Sequence, residues 1–122
     1  MSLLKDINSI LKPLNIPIEI GVFSEEPPDE YIVITPIIDR LDQFADDIAQ
    51  SEISEARLSL FTKKNYIKRK KEISKLLLKG DMTITSQQYV GFESDTKYYH
   101  YAIDVMKEYE VEVWLNGNNW IR

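Results

Sequence analysis

The chain contains no cysteine, and His100 is its only histidine. Without cysteine the chain cannot form a disulfide, a thiolate metal site or a cysteine nucleophile. A single histidine cannot supply a two-histidine metal site, and no Gly-x-Ser-x-Gly elbow marks a serine nucleophile for it. We interpret His100 as an ordinary strand histidine. The glycines are isolated and form no phosphate-binding loop: Gly21, Gly80, Gly91 and Gly117. We therefore expect no catalytic residues, no metal and no cofactor, and predict that the protein is not an enzyme.

Long apolar runs are also missing. No stretch approaches the roughly 20 apolar residues of a membrane-spanning helix. The first residues lack the basic and apolar regions of a signal peptide. We therefore expect no membrane partner, and the absence of cysteine fits synthesis in a reducing cytoplasm. The 122 residues, of which 43% are hydrophobic, predict a single domain over residues 1–122 with a real core.

Charge is distributed unevenly along the chain. The net charge is −5, yet residues 63–79 contain eight basic residues and only one acid, Glu72. The overall negative charge argues against nucleic acid as the main partner, because phosphate binding needs concentrated lysine and arginine. Three interpretations of the basic segment remain open: a solvated helix face, a contact with an acidic protein surface, or a nucleic-acid contact that uses Tyr66.

Periodicity predicts the elements of the first half. Apolar residues at spacings of three and four predict a helix over residues 3–11. Alternation predicts a strand over residues 18–23, and β-branched residues predict a strand over 31–38 that is covered on both faces. Pro36 is expected to lie at an edge or a bulge. Residues 39–51 are expected to form an acidic loop, followed by a half-buried strand over 52–62.

The second half is expected to begin with a helix over residues 63–79, capped by Thr62 and ended by Gly80. Strands over 82–89 and 97–105, joined by a turn over 91–96, follow. The pattern does not decide what residues 109–122 do. The predicted fold is α+β, a mostly antiparallel sheet of about five strands with two helices packed on it, in the order α-β-β-β-α-β-β.

Two groups of side chains are candidates for binding. Asp42, Asp46 and Asp47 lack the spacing and the glycine of a calcium loop, so a solvated loop or a surface for a basic partner is favoured. Tyr99 and Tyr101 share a strand face with Ile103 and Val105, which predicts packing. Trp114 and Trp120 could also mark an interface, and Trp120, near the C-terminal end, is the better candidate.

Several short strings resemble small tail proteins from prophages of low-GC Gram-positive bacteria. The strings are DEYIVITP at 29–36, FADD at 44–47, RLSLF at 57–61, NY at 65–66 and YVGFESDTKYYHY at 89–101. The chain is similar in these strings to the tail terminator, or tail-to-head joining, group of long-tailed phages. The resemblance covers roughly residues 15 to 108 and leaves the remainder unmatched.

The resemblance implies a small structural protein that forms a hexameric ring on the end of the tail tube. It implies that the partners are further copies of the chain, tail tube protein and head-connector protein, with DNA passing through the ring. It also implies a location in the virion after synthesis in the bacterial cytoplasm. The runner-up is a small nucleic-acid-binding or regulatory module that uses residues 63–79.

A ring needs two unlike patches that meet on neighbouring copies. We hypothesise that acids of the predicted loop on one copy approach lysines of the basic helix on the next. Such complementary charges set the register and speed of encounter more than they add affinity. The candidate contact residues are Asp42, Asp46, Asp47, Lys64, Lys68, Lys71 and Trp120.

Overall fold

A computed structural model describes residues 2–21, 26–45 and 48–110, with the backbone alone for 42–45 and 48–50. The elements are α1 Leu3–Leu11, a short 3-10 helix Lys12–Leu14, β1 Ile18–Ile20, β2 Glu30–Ala45, β3 Ile48–Thr62, α2 Tyr66–Lys79, β4 Thr83–Glu93 and β5 Tyr98–Glu110.

The five strands form one sheet in the order β1-β2-β3-β5-β4. The short strand β1 pairs parallel with β2, and every other neighbouring pair is antiparallel. The predicted α+β class, the mostly antiparallel sheet and the order of elements are therefore confirmed.

The main core lies between the two helices and one face of the sheet. Ile7 and Leu11 of α1 and Ile73 and Leu77 of α2 are buried in it. They meet buried residues of β2, β3 and β5: Ile32, Ile34, Ala56, Leu58, Leu60, Tyr101, Ile103 and Val105. The partly buried Ile84 of β4 packs against this core. Each fully buried aliphatic side chain contributes roughly 1.5–3 kcal/mol of transfer free energy, so this face accounts for most of the hydrophobic stabilisation.

A smaller cluster lies on the opposite face of the sheet. Tyr31 stacks on Phe61 with ring centroids 4.9 Å apart, and Tyr98 meets Tyr31 edge to face at 5.5 Å. The Tyr98 hydroxyl donates to the Pro28 carbonyl, which brings the loop before β2 against this cluster. Residues 31–34 are thus buried on both faces as predicted, but Thr35 and its successors are exposed, so the predicted coverage to residue 38 is wrong.

The prediction of an acidic loop over residues 39–51 is wrong. β2 and β3 continue into a long antiparallel hairpin whose pairing runs from Asp39↔Ser54 to Ala45↔Ile48. Aspartate and glutamine have low strand propensity, but the ladder of hydrogen bonds between the two strands overrides that preference. The register shift between Pro36 and Ile38 confirms the expected bulge at the proline.

Helix α2 begins at Tyr66, three residues later than predicted, and its cap is Asn65. The Asn65 Oδ1 accepts from the backbone N–H groups of Ile67 and Lys68 at 3.1 and 3.2 Å. Thr62, the predicted cap, is instead the last residue of β3. Its hydroxyl donates to the Glu30 carboxylate and accepts from the Lys64 N–H, both at 3.0 Å. The predicted end at Gly80 is confirmed, since its N–H donates to the carbonyl oxygens of Leu76 and Leu77.

The last two strands are longer than predicted. β4 continues three residues into the predicted turn and ends at Glu93, and β5 extends to Glu110. The pairing of β4 with β5 shifts register at Ile84/Ser86 and again at Tyr89/Gly91. Each shift adds a residue to β4, so the apolar and polar residues of this strand do not alternate regularly in the sequence. The turn itself spans residues 94–97 and places Lys97 at a positive φ of 67°. β1 ends at Ile20, and the rest of the predicted strand 18–23 beyond Gly21 lies outside the described residues.

Candidate interaction surfaces

His100 lies on β5, on the sheet face away from the helices. Its ring stacks on Phe61 at a centroid distance of 4.2 Å. Its Nε2 is buried and finds no hydrogen-bond partner among the described residues. Burial lowers the pKa of His100 below the ordinary value of 6.5, the charge of Arg57 lowers it further, and Glu93 acts in the opposite sense. The histidine therefore packs against the Phe61 ring with its Nε2 buried and unpartnered among the described residues.

A charged network joins the start of β2 to α2. The Arg69 guanidinium donates to both carboxylate oxygens of Glu30 and to the Glu72 carboxylate at 2.9 Å. Burial alone raises the pKa of Glu30, but hydrogen bonds from Arg69 and Thr62 outweigh it, so the net pKa lies below the ordinary value of 4.5. A shallow groove of about 230 Å³ lies over this network, lined also by Lys64 and Lys68. Through these hydrogen bonds Arg69 joins α2 to the start of β2 and stabilises the fold.

The five lysines between residues 63 and 71 divide into two sets. Lys63 lies 3.5 Å from the Asp29 carboxylate, and the Lys70 ammonium lies 4.8 Å above the Tyr101 ring. The three predicted contact residues, Lys64, Lys68 and Lys71, are exposed and form no ion pair with any residue in the described part of the chain. These three lysines are open to a partner.

The structure does not bring the acidic candidates to the basic ones within one copy. Asp42 lies opposite Ser51 near the tip of the hairpin. It follows Glu30 by twelve residues of strand, which is roughly 40 Å at 3.3 Å per residue. Since Glu30 shares a groove with Lys64 and Lys68, any contact of Asp42 with those lysines would be between copies. Asp46, Asp47 and Trp120 lie outside the described residues.

Tyr99 and Tyr101 of β5 meet α2 and β4 on the helix-covered face. The Tyr66 ring lies 5.2 Å from both Tyr89 and Tyr99 and 6.0 Å from Tyr101. Tyr101 is buried and Tyr99 is half-buried, which confirms the predicted packing of this pair. Tyr89, however, is 46% exposed, and it extends the cluster to β4, the last strand of the sheet.

A surface that we call the β4 edge combines the outermost strand with the neighbouring side of α2. Ser74 donates to the Gln87 side chain at 2.9 Å, which places one side of the helix over β4. Residues 67, 71, 74 and 78 share that side, because they recur at spacings of four and three. Its large apolar residues are between 46% and 59% exposed: Ile67, Leu78, Tyr89, Val90 and Phe92.

A second surface, the β2 edge, lies at the opposite side of the same sheet. It carries Ile20 of β1 together with Ile37, Ile38 and Leu41 of β2, which are between 45% and 55% exposed. With the β4 edge it accounts for every large hydrophobic side chain exposed in the described ranges. Neither surface is predicted from the sequence. The uncharged run over residues 83–92 is visible in the sequence, but the order of strands that makes it an edge is not.

Within residues 2–21, 26–41 and 51–110, no three acidic or histidine side chains converge to hold a metal ion. Neither of the described α-helices is long and apolar enough to cross a membrane. Comparison with models of protein families and with curated proteins finds no match for this chain.

Proposed function

We propose that this chain is a structural protein of a phage tail, a tail terminator or head–tail joining protein that assembles as a ring at the end of the tail tube. The observation that supports the proposal most is the location of the exposed apolar side chains. In the described residues they lie at two opposite edges of one sheet, on surfaces of different composition.

Two unlike surfaces on opposite sides of a subunit favour head-to-tail contacts. A contact of this kind is heterologous, and it closes into a ring when the rotation between neighbours divides a full turn. A self-complementary dimer would need only one such surface. The arrangement therefore fits the ring that the family resemblance implies better than it fits a closed pair.

Charge supports the same arrangement. Lys64, Lys68 and Lys71 are exposed on and before α2, whereas the backbone of Asp42 lies near the far end of the hairpin. Opposite charges that cannot meet within a copy are available to meet between copies. At exposed positions such pairs steer association and fix orientation, while each adds at most about 1 kcal/mol.

Polymerisation of tail tube protein tests the proposed role. The proposal predicts that the tail tube protein of the same phage forms long tubes alone and shorter tubes of uniform length when the chain is added. Negative-stain electron microscopy should show extra density at one end of each tube. Tubes whose length distribution does not change, with no density at either end, would contradict the role.

A second candidate function is binding of single-stranded nucleic acid by α2. The observation that favours it is the exposed ring of Tyr89 beside Tyr66, on the same side of the sheet as α2 and its exposed lysines. Bases stack on such rings while lysines contact phosphates. This candidate predicts oligonucleotide binding that falls steeply as salt rises, measured by fluorescence anisotropy. A tail protein should show little binding at physiological salt.

A further inference from the structure

The outer side of β4 is an edge of the sheet that the described residues form. β4 is the last strand of the sheet, so one row of its backbone N–H and C=O groups has no partner strand among the described residues. Natural proteins protect such edges with charged residues, proline or short strands. β4 is 11 residues long, and its sequence TITSQQYVGFE has no proline and no charge before the final Glu93. This edge has the properties of a strand-pairing site.

The outer side of β2 is also unpaired over most of its length. β1 pairs with Ile32, Val33 and Ile34 only. From Thr35 to Ala45, no described residue pairs with this side of β2. That segment has the same length as β4, 11 residues by the strand boundaries.

The strand directions allow the two edges to join. Successive pairs β2–β3, β3–β5 and β5–β4 are all antiparallel, so β2 and β4 run in opposite directions. When two copies stand side by side with their strands aligned, β4 of one meets β2 of the next in the antiparallel sense. Such a contact continues the sheet from copy to copy, as in strand addition.

The side chains at the two edges are complementary. The β4 edge presents exposed aromatic and aliphatic residues, and the segment from Thr35 to Ala45 presents Ile37, Ile38 and Leu41. That segment contains Asp39, Arg40 and Asp42 and has a net charge of −1. The helix above the β4 edge offers the exposed cations Lys71 and Lys75. Apolar contact and opposite charge both favour a second copy of this chain as the occupant.

We infer that β4 of one copy pairs antiparallel with residues 35–45 of β2 on the next copy, so that one sheet runs through neighbouring subunits. This inference rests on the proposed function insofar as it names the contact that would build the ring. Aligning the ends of the two segments places Val90 opposite Ile38.

Two lysine variants test the pairing. Val90→Lys blocks the β4 edge and Ile38→Lys blocks the β2 edge, and both sites are about half exposed, so folding should be preserved. Each variant alone should self-associate at least about tenfold more weakly than the wild type, the equivalent of 1.4 kcal/mol. Asn8→Lys, on the exposed side of α1, adds the same charge away from both edges and should associate like the wild type.

Mixing the variants separates the possible geometries. A one-to-one mixture of Val90→Lys and Ile38→Lys retains one intact pair of edges, so it should form a heterodimer and no larger species. If β4 instead paired with β4 of a second copy, Ile38→Lys would dimerise alone, and the inference would be overturned. Full association of Val90→Lys would overturn it as well.

Cysteine trapping gives an independent readout, because the chain has no cysteine of its own. Oxidation of a mixture of Val90→Cys and Ile38→Cys should yield a disulfide-linked heterodimer, since paired strands bring Cα atoms within the roughly 4.4–6.8 Å that a disulfide needs. A mixture of Val90→Cys and Asn8→Cys is the control and should not cross-link.

The inference and the proposed function can fail separately. A wild-type chain that shortens tail tubes while both lysine variants do so equally well would retain the function and overturn the pairing. A wild-type chain that stays monomeric at every concentration, together with a mixture of Val90→Cys and Ile38→Cys that gives no cross-link, would also overturn the pairing. The proposed role of the chain at the tail tube would still be tested by the change in tube length.

Discussion

The guanidinium of Arg69 donates two hydrogen bonds to the carboxylate of Glu30, at 2.8 and 3.0 Å. Glu30 is the first residue of β2, and Arg69 lies on the first turn of α2. The pair therefore fixes the basic helix to the strand that continues into the long hairpin. One cation of the basic segment thus stabilises the fold, while its exposed neighbours remain available for binding.

Glu30→Gln should destabilise the protein by about 2 kcal/mol at neutral pH, because the variant weakens hydrogen bonds to a charged group. The folded-state pKa of Glu30 is depressed, so its stabilisation is present above the ordinary value of 4.5 and is lost as the pH falls below it. In urea unfolding, the free energy of unfolding of the wild type should therefore exceed that of Glu30→Gln at neutral pH, and the difference should shrink in acid. Asp29→Asn, at an exposed ion pair, should change little. An advantage that persists undiminished in acid would contradict this account.

Gly80→Ala should lower the free energy of unfolding by about 1–2 kcal/mol through overpacking. A Cβ at this position would lie 2.6 Å from Cδ1 and 2.8 Å from Cγ1 of Ile10 on α1. The backbone of Gly80 has an ordinary negative φ of −88°, so crowding and not backbone strain is the cause. Thermal unfolding measures the change, and Gly91→Ala is the matched control, because nothing lies within 4 Å of its Cβ.

A double-mutant cycle tests the crowding directly. Ile10→Ala removes the atoms that the new methyl group would meet, so Gly80→Ala should cost much less in that background. Equal costs in both backgrounds would show that the close approach of α1 to Gly80 is not the reason.

His100 should make stability depend on pH in mildly acidic solution. Its folded-state pKa is lowered by burial, so the unfolded chain takes up a proton first as the pH falls through the ordinary value of 6.5. The free energy of unfolding should therefore decrease below that pH. His100→Phe keeps the stack on Phe61 and should lack this decrease, as measured by urea unfolding. Parallel curves for the wild type and the variant would contradict the assignment.

Replacing both Lys68 and Lys71 by glutamate should weaken self-association, and the effect should be larger at low salt than at high salt. Both side chains are exposed and unpaired among the described residues, so the folded monomer should keep its melting temperature. Light scattering at two ionic strengths measures the effect. An unchanged oligomer at both salts would remove the charge contact proposed with Asp42, Asp46 and Asp47. Lys5→Glu on α1 serves as the control for charge alone.

Much of the fold follows from sequence periodicity. Helix α1 has the predicted bounds, since the apolar stripe of Leu3, Ile7 and Leu11 recurs at helical spacing. The half-buried strand that contains Ala56, Leu58 and Leu60 alternates clearly and is equally predictable. The sequence does not predict the hairpin beyond Pro36, because residues 37–41 are exposed and the two strands are stabilised by pairing with each other.

The candidate surfaces are less accessible to sequence analysis. The basic segment is visible as a run of lysines, but the burial of Arg69 against Glu30 depends on a contact between residues far apart in the chain. The edges depend on the order of strands, which places β4 beside β5 and leaves its other side open. A local pattern can therefore indicate the strand but not whether it has one neighbour or two.

Sedimentation velocity of the wild-type chain over a range of concentrations tests the central claim of head-to-tail assembly most directly. The account predicts a mass that rises beyond twice the 14.3 kDa monomer and levels off at a fixed multiple, as a closed ring requires. A species that stops at the dimer, or a single 14.3 kDa monomer at every concentration, would contradict it.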